Sequence, residues 1–174
     1  NTTGLVTATS VATLTGTASA ITTLIGNEGN SGDKVNLDGD FAVTVDAGTA
    51  TVAQVNSYGS ATTGVITATI SDQTIAALDD LTTSSADQLT ITVASTSATA
   101  SQLTTVAGAT GLNVTATAVE TVTGTATQMD ELLLAEGSGG DKVNLDGDFA
   151  ITINSGTATV AQVNSYGSAT TGVI

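Results

Sequence analysis

The residues best equipped for chemistry sit in one decapeptide, GDKVNLDGDF, which occurs at 32–41 and again, letter for letter, at 140–149. Asp33, Asn36, Asp38 and Asp40, with their counterparts Asp141, Asn144, Asp146 and Asp148, offer hard oxygens of the kind calcium takes. Glu28 and Asp46 lie nearby in sequence. The spacing is not that of an EF-hand loop, and GSGGDKV at 137–143 only loosely resembles the glycine-rich calcium nonapeptide. A second reading is purely structural. Asp-Gly flanked by apolar residues marks a turn, here leading the chain into FAVTV at 41–45. The metal-free turn is the simpler of the two, and calcium is the one cofactor the sequence raises. Lys34 and Lys142 read as partners for local carboxylates.

Other chemistry is poorly provided for. Serine and threonine abound, but there is no histidine, cysteine or arginine to act as base, thiolate or oxyanion clamp, so an enzyme is not expected. Asp79, Asp80, Asp87, Asp130 and Glu131 read as a solvated acidic face rather than as a carboxylate pair across a cleft. Tyr58 and Tyr166 occupy equivalent corner positions and suggest packing at the core edge, with a lateral contact as the sharper alternative. The net charge of −14, from 16 acids and 2 lysines, argues against nucleic acid and anionic membrane as partners. No apolar run is long enough for a bilayer-spanning helix.

The elements that must position these residues are repetitive. Residues 141–174 repeat 33–66, a shift of 108, except at Val43/Ile151, Val45/Ile153, Asp46/Asn154 and Ala47/Ser155. A full repeat spans 33–140 and the next begins at 141, so the chain reads as one continuous domain over 1–174 and as a window on a longer array. Strand-like alternation begins at Phe41, Ile66, Leu89, Leu112 and Phe149. Between these runs apolar residues recur at helical spacing: Val52 and Val55; Ile75, Leu78 and Leu81; Leu103 and Val106; Met129 and Leu132. Ser71 or Asp72 is the expected N-cap of the run from Gln73 to Leu81. Aromatics make up 2% of the chain and proline is absent, so any core is narrow and built from small and β-branched side chains. The pattern predicts a mainly β repeat solenoid: a parallel stack with one strand plus a short helical or 3-10 turn per coil of about 24 residues, about four coils to each long repeat. An all-β parallel β-helix is the alternative.

ATLTGTASAITTL (12–24), ETVTGTATQMDELL (120–133) and TVAQVNSYGSATTGVI (51–66) resemble the repeats of giant cell-surface proteins of marine unicellular cyanobacteria, a group connected with motility and adhesion. The resemblance runs the length of the chain. It implies an exported, cysteine-free surface or filament protein, and it offers no catalytic residues to carry over. The expected function is therefore a non-enzymatic structural repeat of a long extracellular rod at a bacterial surface. Its partners would be neighbouring repeats, lateral copies of itself or surface glycans. A glycan- or ice-binding module is the alternative, because Thr67/Thr69, Thr90/Thr92 and Thr115/Thr117 alternate outward in the strand-like runs.

Overall fold

The computed structural model describes residues 4–28, 34–137, 142–154 and 156–174. Along the chain lie β1 (Val6–Ala8), β2 (Thr13–Thr17), α1 (Ala18–Ile25), β3 (Val35–Leu37), β4 (Ala42–Ala47), α2 (Val52–Ala61), β5 (Ile66–Thr69), α3 (Ile75–Leu78) and β6 (Gln88–Thr92). Then follow β7 (Ser97–Thr99), α4 (Ala100–Gly108), β8 (Val114–Ala116), β9 (Thr121–Gly124), α5 (Ala126–Gly137), β10 (Val143–Leu145), β11 (Ala150–Ile153) and α6 (Val160–Ala169).

Local chemistry accounts for the helix starts. Thr51, Thr99 and Thr159 each cap a helix, accepting from the backbone of a glutamine three residues on while that glutamine's side chain accepts from the cap. Such a reciprocal box satisfies two otherwise orphaned N–H groups. Thr125 and Gln128 make the same pair of bonds before α5. Strands follow where the apolar period falls to two: Leu89 and Ile91 are buried in β6 while Thr90 and Thr92 face out.

Among the described residues all strand pairs are parallel. One six-stranded sheet runs in the order β10-β8-β6-β5-β4-β2, a second holds β11-β9-β7, and β1 pairs with β3. Parallel neighbours need crossover connections, and here helices supply them: α2 joins β4 to β5, α3 joins β5 to β6, and α4 lies in the connection from β6 to β8. Two expectations are corrected by this. The chain is not a mainly β solenoid with one strand per coil, nor an all-β helix. It is a parallel α/β protein with eleven strands and six helices among the described residues. The physical reason is twofold. Strands form where no run was read, as in β9, set off from β8 by a turn in which Val119 N–H donates to Ala116 O. The threonine–glutamine boxes also extend the helical segments to as many as 12 residues, too long for single turns.

One continuous core joins the layers. The apolar residues at helical spacing, from Val52 to Leu132, are all buried. Its largest fully enclosed side chains are Tyr58, Tyr166, Phe41 and Phe149. Each belongs to a pair separated by the repeat length.

Candidate functional site: the ties between successive layers

The polar side chains with the most to do are those that bind one chain layer to the next. Thr110 is fully buried. Its hydroxyl donates to Leu89 O at 2.8 Å and accepts from Leu89 N at 2.9 Å and Leu112 N at 3.1 Å. Thr62 bonds to Phe41 O at 2.5 Å and accepts from Gly64 N at 3.0 Å; Thr170 does the same with Phe149 O and Gly172 N, at 2.6 and 3.0 Å. A glycine within two residues of each threonine, at Gly64, Gly111 and Gly172, is there for contact. A Cβ on Gly64 would lie 2.6 Å from Asp40 O, and one on Gly111 2.9 Å from Ser85 O, so the backbones meet where no side chain fits. The Thr-Gly corner is thus a hydroxyl clamp followed by a backbone contact.

Asp87 fills the corresponding place one layer away. It is buried rather than part of the solvated acidic face expected of it. Oδ1 accepts from Ile66 N at 2.8 Å and Oδ2 from Ser84 N at 3.0 Å. Ser84 Oγ stands 3.4 Å from the same carboxylate. Both oxygens are engaged by backbone N–H groups, so the pair acts as a structural clamp, not as a serine with a free base.

Two further ties cross from α2 to the layer after it. Asp72 Oδ2 accepts from Val52 N at 2.7 Å, capping the helix before it rather than the one after. The N-cap of α3 is Thr74, with no side-chain cap bond, so the expected cap from Ser71 or Asp72 is corrected. Ser95 serves α3 as Asp72 serves α2, its hydroxyl accepting from Ile75 N at 2.9 Å. Asn56 donates through Nδ2 to Asp80 O at 2.8 Å and accepts at Oδ1 from Thr82 N at 2.9 Å.

The tyrosines are buried anchors. Tyr58 Oη donates to Ala18 O at 2.8 Å and Tyr166 Oη to Ala126 O at 2.9 Å, the same tie one repeat apart. Around Tyr58 the hydroxyl of Thr22 lies 3.1 Å away; around Tyr166 the equivalent position is Asp130, whose Oδ1 accepts at 3.1 Å. Gln162 Nε2 donates to Asp130 Oδ2 at 2.7 Å. Burial, followed by the neighbouring Asp130 carboxylate, pushes the Tyr166 phenol up to about 12.

The opening decapeptide holds a docking turn. Asp38 Oδ1 accepts from Gly39 N at 2.9 Å, and Asp146 Oδ1 from Gly147 N at 2.8 Å. Gly39 O and Gly147 O then accept from Thr63 N and Thr171 N of the next corner, each at 2.9 Å. Asn36, Asp40, Asn144 and Asp148 are exposed, while Asp33 and Asp141 lie outside the described residues. Among the described residues no group of three acidic side chains converges on a point where a metal ion would sit. Lys142 donates to Thr110 O at 2.9 Å, a backbone partner in place of the carboxylate expected for it. The outward threonines are exposed, with Thr69 opposite Thr90 and Thr92 opposite Thr115 in register. Gln88 and Asn144 interrupt that face.

The roles of Thr62, Thr110, Asp87 and Asn56 escaped the reading of the sequence. One signal was present: threonine followed within two residues by glycine, just ahead of a strand-like run, recurs at 62–64, 110–111 and 170–172. The site taken as a whole is a set of ties between layers of a parallel α/β stack. No protein-family model, curated protein or solved structure matches the chain. No helix among the described residues is long and apolar enough to cross a membrane.

Proposed function

We propose that the chain is a non-enzymatic structural repeat of a long extracellular rod or filament at a bacterial cell surface, serving motility, adhesion or a protective layer. The observation that carries the reading is recurrence. The Tyr–Ala tie, the Thr-Gly corner and the Asp-Gly docking turn each return at the repeat length with bond lengths alike to within 0.1 Å. A design spent on holding layers together suits a protein whose task is to span distance. The resemblance to cyanobacterial surface repeats points to the location. Its mechanism is mechanical: parallel ladders and buried clamps transmit order from layer to layer, and the acidic surface opposes clumping. At sea-water ionic strength the Debye length shrinks to roughly 4 Å, so lateral association between rods becomes feasible.

Immunogold labelling of intact cells that make the protein tests this location. Dense labelling before permeabilisation is the expected result, and labelling only after permeabilisation would remove the surface reading. A second reading, glycan or ice binding, draws on the exposed Thr69–Thr90 and Thr92–Thr115 pairs. Binding of the isolated chain to a glycan array, or inhibition of ice recrystallisation, would favour it. A bare rod does neither.

A further inference from the structure

Of the aspartates, only Asp38 and Asp146 precede a glycine. Both carboxylates turn back on their own backbone, Asp38 Oδ1 accepting from Gly39 N at 2.9 Å and Asp146 Oδ1 from Gly147 N at 2.8 Å. Cγ is bonded directly to that oxygen. The carboxyl carbon and the next amide nitrogen therefore stand near the separation of about 3–3.5 Å from which reacting atoms begin. Nothing crowds them: these residues are exposed, and a Cβ built on Gly39 or Gly147 would meet no atom within 4 Å. Three other carboxylates are committed elsewhere, Asp72 to Val52 N, Asp87 to Ile66 N and Ser84 N, and Asp130 to Tyr166 Oη and Gln162 Nε2. The two turns also carry a layer tie. Gly39 O accepts from Thr63 N and Gly147 O from Thr171 N, each at 2.9 Å, with the hydroxyls of Thr62 and Thr170 3.4 Å from the same carbonyls.

We propose that Asp38-Gly39 and Asp146-Gly147 are modification sites, at which the chain isomerises itself to isoaspartate without an enzyme. The glycine nitrogen attacks Cγ of the protonated aspartic acid and a C–N bond forms. The C–OH bond of the carboxyl breaks, and its hydroxyl leaves as water with the proton lost from nitrogen. Water then opens the succinimide ring at the aspartate α-carbonyl, which leaves the main chain running through Cβ and Cγ. The water released is the water returned, so no oxidant, reductant or cofactor takes part and the mass is unchanged. The backbone of the turn has gained one methylene. Gly39 O is drawn off Thr63 N, Gly147 O off Thr171 N, and the tie to the next corner loosens. Each long repeat holds one such point, so the stack slackens at fixed intervals as the protein ages. The proposal stands on the geometry of the turns and not on where the protein resides.

The test incubates the folded full chain in oxygen-18 water at mildly acidic pH, with the free decapeptide GDKVNLDGDF as the unfolded reference. Tandem mass spectrometry reads label uptake and isoaspartate at each Asp-Gly bond. Both turns should convert in the folded chain at a rate no lower than that of the free peptide, and the melting temperature should fall as conversion proceeds. Gly39→Ala together with Gly147→Ala should slow conversion at least about tenfold, because a methyl group hinders the nitrogen's approach. Open space at both positions leaves that variant no less stable than the parent before ageing. Turns that stay intact in the folded chain, that convert more slowly than the free peptide, or that convert at a rate the alanines do not alter overturn the proposal. Conversion without a fall in melting temperature overturns the loosening of the tie.

Discussion

Replacing Thr110 by valine keeps the shape of the side chain and deletes only the hydroxyl. Thr110 is fully buried, and its oxygen receives Leu89 N and Leu112 N while its proton goes to Leu89 O. The variant therefore strands two N–H groups and one carbonyl lone pair between layers. A buried group left without a partner costs about 1–3 kcal/mol, and Leu112 N lies in a partly buried position where water can compensate it. Leu89 N contributes most, so the loss should be about 2–4 kcal/mol. Urea unfolding followed by circular dichroism reads it as a lower midpoint at unchanged slope. Thr110→Ser, which retains the hydroxyl, should recover most of the loss, whereas Thr115→Val on the exposed strand face should stay within about 0.5 kcal/mol of the parent. A Thr110→Val midpoint equal to that of the parent would show that the hydroxyl does not clamp the layers.

The glycines of the corners separate contact from flexibility. Gly64→Ala and Gly172→Ala each drive a Cβ into backbone, within 2.6 Å of Phe41 C or Phe149 C, and should cost about 3 kcal/mol or more by thermal melting. Gly59→Ala, exposed in α2 with 3.6 Å to its nearest neighbour, should instead stabilise by about 0.5–1 kcal/mol. Alkaline titration of tyrosinate absorbance in a Tyr58→Phe background reports Tyr166. Because its folded pKa of about 12 stands above the ordinary value near 10, the phenol favours folding below pH about 10, and that contribution fades as pH rises through about 12. Asp130→Asn should bring the titration down. For the opening decapeptide, the self-contained Asp38 and Asp146 turns predict the same melting temperature in calcium and in chelator. A rise of several degrees with calcium, lost when Asp38, Asp40, Asp146 and Asp148 become alanine, would make it a metal loop.

Much of the core was legible because burial follows period. Every residue from Val52 to Leu132 placed by helical spacing is inside, and parallel pairing follows from stacking similar units. Element type was harder to read. Short runs of alanine, threonine and valine suit strand and helix nearly equally, and the deciding Thr-x-x-Gln boxes are polar signals outside any hydrophobic period. The layer ties were illegible for a different reason. Asp72 and Asp87 act on Val52 and Ile66, about twenty residues earlier, so nothing local separates a clamp from a solvated acid. Asp130 looked like surface charge, yet it stands where the other copy has Thr22 and sets the environment of Tyr166.

The proposed rod requires each repeat to lengthen the molecule without widening it. From β4 the six-stranded sheet continues through β5, β6 and β8 to β10, four parallel steps that at about 4.8 Å each amount to roughly 19 Å. Small-angle X-ray scattering should compare this chain with one lengthened by a further copy of residues 67–174. The account predicts a maximum dimension greater by roughly 19 Å and an unchanged cross-sectional radius. A cross-section that grows while the length stays nearly constant would contradict it.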